Sequence, residues 1–453
     1  MRDVSPVSVF GDGYREVMGQ GMTAIERVAH RARREWEAVK PAYDDRGVVR
    51  RSQIVDIMRA VPLGVMLPLE TSVLLTIAIK EFDAAWWVKW LVAAANGVGL
   101  LAAPFVTSIA RRWGRPVMVP AAYLAAMGGL GLLAASVGWL SLYVVGAIVG
   151  IATLNAVFPL TTVTYERNFP PRELGTRVGW GMSLKVLVSA AAGLAMGWFL
   201  TRWPDRWWVV LVVAGVAMFV LALLNLQMPS ARLDSVDGVA NNAWPHFHLL
   251  LEDRRLMLTL SAWMLMGFGN LMLLPLRVEY LAQPQYGIAA TAGEIVVLTV
   301  VIPSAVRLVA MPLFGVVFDR MSFFAARILV NMLFALYVAA FFAGTTWVGL
   351  VVGAVMLGIG SAGGDLMWSL WVTKFAPAGR TADYMGLHTF FTGIRAFLAP
   401  MVGFAIVGTF SLTAIAAGAA VLMVISSLVL VPEARAERAS RQAREAASVT
   451  AGR

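Results

Sequence analysis

The sequence predicts an all-α integral membrane protein with twelve transmembrane helices in two pseudo-symmetric six-helix bundles. Three observations predict it. Of 453 residues, 59% are hydrophobic and only 14% charged, where a soluble chain carries nearer a quarter charged. Twelve apolar stretches each approach or exceed the roughly 20 residues that a spanning helix needs. Two loop patterns also recur about 207 residues apart. Pro171, Arg172 and Gly179 in RNFPPRELGTRVG answer to Pro377, Arg380 and Gly386 in KFAPAGRTADYMG, and IARRWGRP (109–116) answers to VFDRMSFF (317–324). Repeats at this spacing imply two related halves.

Taken in order, residues 1–56 form a polar N-terminal extension expected on the cytoplasmic side. Its stretch from Tyr14 to Lys40 has helical character with Val17, Ile25, Val28 and Trp36 among charges, as an interfacial helix has. It lacks the apolar core of a cleavable signal peptide. The first bundle spans 57–226, with helices near 57–79, 86–109, 116–136, 139–164, 175–200 and 206–226. A polar linker, 227–254, carries Pro229, Asp234, Asp237, Gly238, Asn241, Asn242 and Pro245. The second bundle spans 255–431, with helices near 255–276, 292–317, 324–344, 347–373, 384–407 and 411–431. A charged, Ala-rich tail follows at 432–453, expected as a short cytoplasmic helix.

Composition removes several function classes. With no cysteine, disulfides, thiol catalysis and cysteine metal sites are excluded. Histidines 30, 246, 248 and 388 are too scattered for a zinc site. There is no Walker A lysine and no H-E-x-x-H, so an enzyme is not indicated and no cofactor is expected. GIGSAG at 358–363 matches a dinucleotide fingerprint in letters only, because no strand precedes it; helix packing explains it better. The net charge of +10 reflects loop arginines rather than nucleic acid. Arg111, Arg112, Arg115, Arg167, Arg172, Arg177, Arg232, Arg254, Arg320, Arg327, Lys374 and Arg380 fall in same-side loops. The opposite loops hold Lys80, Lys89, Arg202, Arg206 and Arg277. The positive-inside rule places both termini in the cytoplasm of a cell (inner or plasma) membrane.

Small residues spaced by four, as in Gly146/Gly150, Gly193/Gly197, Gly349/Gly353 and Gly360/Gly364, allow close helix contact in lipid. Prolines at 62, 68, 159, 275, 303, 312 and 400 can kink their helices. Tryptophans 86, 87, 90, 203, 207 and 208 crowd the outer ends as an aromatic belt.

The most specific motif is GVVFDR, Gly315 to Arg320. Gly, three residues, then Asp-Arg at the inner end of the eighth helix resembles the signature loop of the major facilitator superfamily. There the motif lies between helices 2 and 3 and, more weakly, between 8 and 9. The first copy here keeps Gly114 and Arg115 but has Arg111 where the acid is expected. The loop RNFPPRELGTRVG is also similar to that family's helix 4–5 connection, and the resemblance covers about residues 54–431. It implies a gating role for Gly114, Arg115, Gly315, Asp319 and Arg320. It also implies a central cavity lined by helices 1, 4, 7 and 10.

Charges inside apolar helices are costly and mark protein-lined, watery interiors. Glu70 lies 13 residues into the first helix, between prolines and the outer end. Glu70 and Asp365 are the candidates for carrying a proton. Lys185, Arg307, Arg395, Asn96, Asn155, Asn270 and Trp368 are the candidates for holding a solute. A structural reading competes: Asp365 and Arg395 can neutralise one another between adjacent helices. His388, seven residues before Arg395 and on the same face, fits a hydrogen-bonded structural role near the cytoplasmic interface. Deep cations outnumber deep acids, which favours a small polar or anionic solute. The expected function is secondary transport by alternating access, coupled to a proton, by a monomer whose partners are solute, coupling ion and lipid. A multidrug exporter and a non-transporting membrane sensor or scaffold with the same fold are the other readings that the sequence leaves open.

Overall fold

A computed structural model describes residues 44–170, 173–232, 247, 249–375 and 381–451. These residues form twelve helices long and apolar enough to cross a membrane, counting one bent pair as a single span. They are α1 (Arg46–Lys80), α2 (Trp86–Ala93 and Ala95–Trp113, bent by 45°), α3 (Met118–Ala135), α4 (Leu140–Asn168), α5 (Leu174–Arg202) and α6 (Trp208–Gln227). After the linker come α7 (Arg254–Ala282), α8 (Ala292–Val296, Val297–Val301 and Ile302–Arg320), α9 (Phe323–Phe342), α10 (Trp347–Phe375), α11 (Thr381–Ile406) and α12 (Leu412–Ala451). With an even number of spans, the start of α1 and the end of α12 lie at one end of the molecule, here the termini end; the other is the far end.

The packing repeats. In the first half α3 packs on α4 and α6, α2 on α4, and α1 on α5 and α6. In the second half α9 packs on α10 and α12, α8 on α10, and α7 on α11 and α12. Each pair is the first-half pair shifted by six helices, which is pseudo-twofold kinship. The halves meet along two seams related the same way, α2 with α11 and α5 with α8. Glycine makes the seams tight. A Cβ on Gly97 would sit 2.6 Å from the Phe397 nitrogen, and one on Gly197 would sit 3.0 Å from the Gly293 Cα. Without a hydrophobic force between helices in lipid, such close backbone approach supplies the contact. Gly146 and Gly150 serve α3 and α4 in the same way.

Several boundaries differ from expectation, each for a physical reason. The first helix starts at Arg46, not 57. Asp45 caps it by accepting from the Gly47 N–H at 2.7 Å, and its polar side chains find partners on neighbouring helices. Gln53 donates to the Arg177 carbonyl, Asn168 to Ser52, and Tyr165 to Asp56, which also pairs with Arg59 at 3.4 Å. The charged tail continues α12 without a break to Ala451. The extension's Tyr14–Lys40 and the loop's Pro171, Arg172, Pro377 and Arg380 lie outside the described residues.

Three of the charged residues expected in loops are buried within helices. Arg327 is a buried residue of α9, its guanidinium 4.7 Å over the Trp263 ring. Lys89 and Arg277, expected at the far-end surface, are 8% and 2% accessible in α2 and α7. The segment RVEYLA continues α7 past its expected end to Ala282, where Glu279 meets Lys89.

Candidate functional site

The site lies where the halves meet at mid-depth. In α1 the helix widens to a π-helical stretch, Leu69–Val73, which carries Glu70. In α8 a second π stretch, Val297–Val301, precedes Pro303, whose ring would clash with the Thr299 carbonyl in regular α-helix. The two π stretches lie against each other across the seam. Such bulges re-aim side chains and are frequent at functional sites.

Glu70 is held by amides. Its Oε1 accepts from Asn96 Nδ2, at the start of the second piece of α2, and from Asn155 Nδ2 of α4 at 3.4 Å. Asn155 also donates to its own helix at the Ile151 carbonyl. These contacts gather three of the expected site residues from three helices. Lys185 of α5 is within electrostatic reach of Glu70, Arg307 and Asp365. Among the described residues it has no ion pair or hydrogen bond. Across the seam, Arg307 of α8 pairs directly with Asp365 of α10. The site thus has two acids and two cations, one of each sign from each half.

The pair of the second half faces open space. Asp365 is deep among protein atoms, yet its side chain is 42% accessible and that of Arg307 27%. That combination is the mark of a cavity rather than of a packed core. Trp368, one turn beyond Asp365, meets Phe158 of α4 at 5.2 Å between ring centroids. Phe158, which sequence reasoning missed, therefore walls the cavity from the first half. Asn270 lies on α7, its Oδ1 buried and without a donor.

Arg395 stands apart. Asp365 pairs with Arg307, and Arg395 instead donates to the Trp263 carbonyl and, at 3.2 Å, to Thr392. The expected Asp365–Arg395 neutralisation is therefore replaced by one along α8 and α10. His388 is buried at 1% accessibility with its ring 4.2 Å from that of Trp263, and its Nε2 has no hydrogen-bond partner. It is not the hydrogen-bonded interfacial residue that the sequence led us to expect.

The far end is sealed between the halves. Lys89 of α2 and Glu279 of α7 form a buried ion pair at 2.8 Å. Next to it Trp90 Nε1 donates to the Phe397 carbonyl of α11, its ring stacked edge-on to Phe397. On the other seam the Gly293 N–H donates to Thr201 Oγ at 2.8 Å. This lock was missed because Glu279 lay beyond the expected end of its helix and Lys89 was counted among the far-end loop charges. A signal was present: the apolar run of α7 resumes after Arg277 and Glu279 as far as Ala282.

At the termini end, Gly114 caps α2 in the left-handed region, φ +59°, its N–H bonded to the Arg111 carbonyl. Arg115 beside it is exposed. Gly315, Asp319 and Arg320 end α8, and their side chains lie outside what is described. Among the described residues no cluster of His, Asp and Glu could hold a metal ion.

Comparison with known proteins agrees with this architecture. The family model described as Major Facilitator Superfamily matches residues 60–341. No curated protein matches the sequence. Among solved structures, the nucleoside transporter NupG is 15% identical, with a TM-score of 0.63 over 85% of this chain and 98% of its own. A D-xylose-proton symporter is 12% identical, with a TM-score of 0.65 over 84% and 97%. The xylose transporter XylE from E. coli, in an inward open conformation, is 12% identical, with a TM-score of 0.62 over 84% and 95%. At these identities the likeness is one of fold.

Proposed function

The chain belongs to the Major Facilitator Superfamily, and from that premise we propose that it is a proton-coupled secondary transporter of a small organic anion. The observation that carries the reading is the four-charge site at the seam. Lys185 has no partner there, and Asp365 is paired but accessible. An entering carboxylate or phosphate finds Lys185 first. It then competes with Asp365 for Arg307, whose planar fork suits such groups. The displaced Asp365 is left without its cation in a low-dielectric cavity and takes a proton. Anion and proton thus enter together, and the loaded site keeps its charge balance while the halves rock. The neighbour named as a D-xylose-proton symporter is consistent with proton coupling on this fold.

The arginine-rich termini end is cytoplasmic by the positive-inside rule. The sealed far end then makes this conformation inward-facing, in a cell membrane. The site is complete within one chain, so a monomer suffices.

The test begins with a thermal-shift screen of purified protein against organic acids, sugars, amino acids and drugs. A stabilising acid is then followed into proteoliposomes under a pH gradient. Uptake should accelerate with the gradient and fall when an uncoupler collapses it. Stabilisation by sugars or drugs alone would remove the anion, and uptake indifferent to the gradient would remove the proton.

A further inference from the structure

The proposed cycle leaves the oxygens around Glu70 without a role. An ionised carboxylate accepts hydrogen bonds and cannot donate them. Asn96 and Asn155 therefore both turn their amide nitrogens to Glu70 Oε1, and Asn155 Nδ2 also donates to the Ile151 carbonyl. Turning both nitrogens to the acid turns both amide oxygens away from it. Among the described residues Glu70 Oε2, Asn96 Oδ1 and Asn155 Oδ1 receive no hydrogen bond, yet none of them is among the buried polar atoms that lack one. Their residues, like Lys185, are only half-buried. The three oxygens thus keep open surface.

Lys185 is the cation beside them, within electrostatic reach of Glu70. These side chains offer a solute one positive charge and three acceptors, while three of the four amide hydrogens are already engaged. Such a wall complements an anionic group flanked by donors. The donor can be an ammonium or a hydroxyl, and charge decides between them. In the proposed cycle the loaded site sets Lys185 and Arg307 against Glu70 and one carboxylate, with Asp365 protonated. An ammonium on the solute adds a further positive charge at mid-membrane with no counter-charge, which is costly. Hydroxyls satisfy the oxygens and leave the balance as it is.

On the basis of that cycle, we propose that the transported anion is a hydroxy acid, a carboxylate with hydroxyl groups on its neighbouring carbons, of the kind that oxidised sugars carry. Its carboxylate docks on Lys185 and Arg307. Its hydroxyls donate to Glu70 Oε2, Asn96 Oδ1 and Asn155 Oδ1. A plain carboxylate strips water from those oxygens and returns nothing, so the site selects by what the wrong solute fails to bond. Because a hydroxyl accepts as well as donates, it also suits a carboxamide at position 70.

The experiment follows the Tm of the purified full-length protein against ligand concentration, which yields an affinity for each solute. The solutes are matched in carbon count: glycerate, lactate, propionate and β-alanine, then gluconate against hexanoate. Glycerate should bind about tenfold tighter than propionate, the scale of a hydrogen bond to a charged acceptor, with lactate between them. Gluconate should exceed hexanoate likewise, and β-alanine should gain nothing over propionate. Asn96→Leu and Asn155→Leu, made singly, should each cut the preference for hydroxyls about threefold and leave the affinity for propionate as it was. Equal affinity for hydroxylated and plain carboxylates overturns the hydroxy acid while the organic anion stands. Tighter binding of β-alanine than of glycerate overturns it in favour of an ammonium. A preference that survives in both leucine variants overturns the assignment of these oxygens. Binding of no carboxylate at all removes the anion and the hydroxy acid together.

Discussion

The two bundles each bring one acid and one cation to the seam, but they hold them differently. The first half gives Glu70 to two neutral amides and leaves Lys185 without a partner. The second half closes Arg307 directly on Asp365. Protonating Glu70 changes one hydrogen-bonding pattern, since a carboxyl can still accept from Asn96 and Asn155. Protonating Asp365 dissolves an ion pair and frees a cation. The same fold used twice thus holds its acid by neutral amides in one half and by an ion pair in the other, which on the proposed function makes a docking point of the first and a switch of the second. In the proposed cycle, coupling is assigned to the half whose charge state and binding capacity change together.

The strongest way to break this comparison is Asp365→Asn. It should lower gradient-driven accumulation about 100-fold, equivalent to about 2.7 kcal/mol, while anion counterflow persists. An equal loss in Glu70→Gln, with Asp365→Asn intact, would assign coupling to the first half instead. Lys185→Ala comes next. It should raise KM for the anion about tenfold, near 1.4 kcal/mol, with little change in maximal rate, as loss of a docking charge does.

A test of the lock follows. Lys89→Met leaves Glu279 as an unpaired charge at a closed seam, so opening the far end becomes favourable. Because the chain has no cysteine, single cysteines introduced at the far end report that opening by thiol labelling. Labelling should rise about fivefold, at the lower end of ordinary coupling energies. The double variant with Glu279→Gln should return it toward the original rate.

Glu70→Gln should change uptake by less than about threefold, under about 0.7 kcal/mol, because a carboxamide oxygen still accepts from both asparagines. Smallest for transport is Gly114→Ala. A Cβ there meets nothing within 4 Å, so only the positive φ is strained. Transport should hold while thermal unfolding shows a loss of about 1 kcal/mol.

Much of the architecture was legible in the chain itself. Hydropathy marked twelve spans, and the loop repeat announced two halves. The Gly193/Gly197 spacing pointed to a tight contact, which the structure places against α8 at one seam. Glu70, Asn96 and Asn155 were each recognisable as polar groups where lipid tolerates few. Their meeting on one carboxylate oxygen was not, because 26 and 85 residues separate them from Glu70. The partner of Asp365 was misjudged for the same reason. Arg395 and Arg307 look alike in sequence, and only the packing of α8 on α10 separates them.

What the chain dictated by itself follows from solvation. Backbone polar groups must be satisfied within each helix in lipid, so length and apolarity alone define the spans, and arginine placement biases their orientation. Which charges become partners depends on how helices pack across bundles and seams. Ion pairing falls off over a few ångströms, a scale that side-chain packing sets and residue order does not record. The lock of Lys89 on Glu279 was therefore decided only when the two halves met, and the amide cradle of Glu70 and the gathering of Arg327 and Arg395 around Trp263 only when the helices of each half packed.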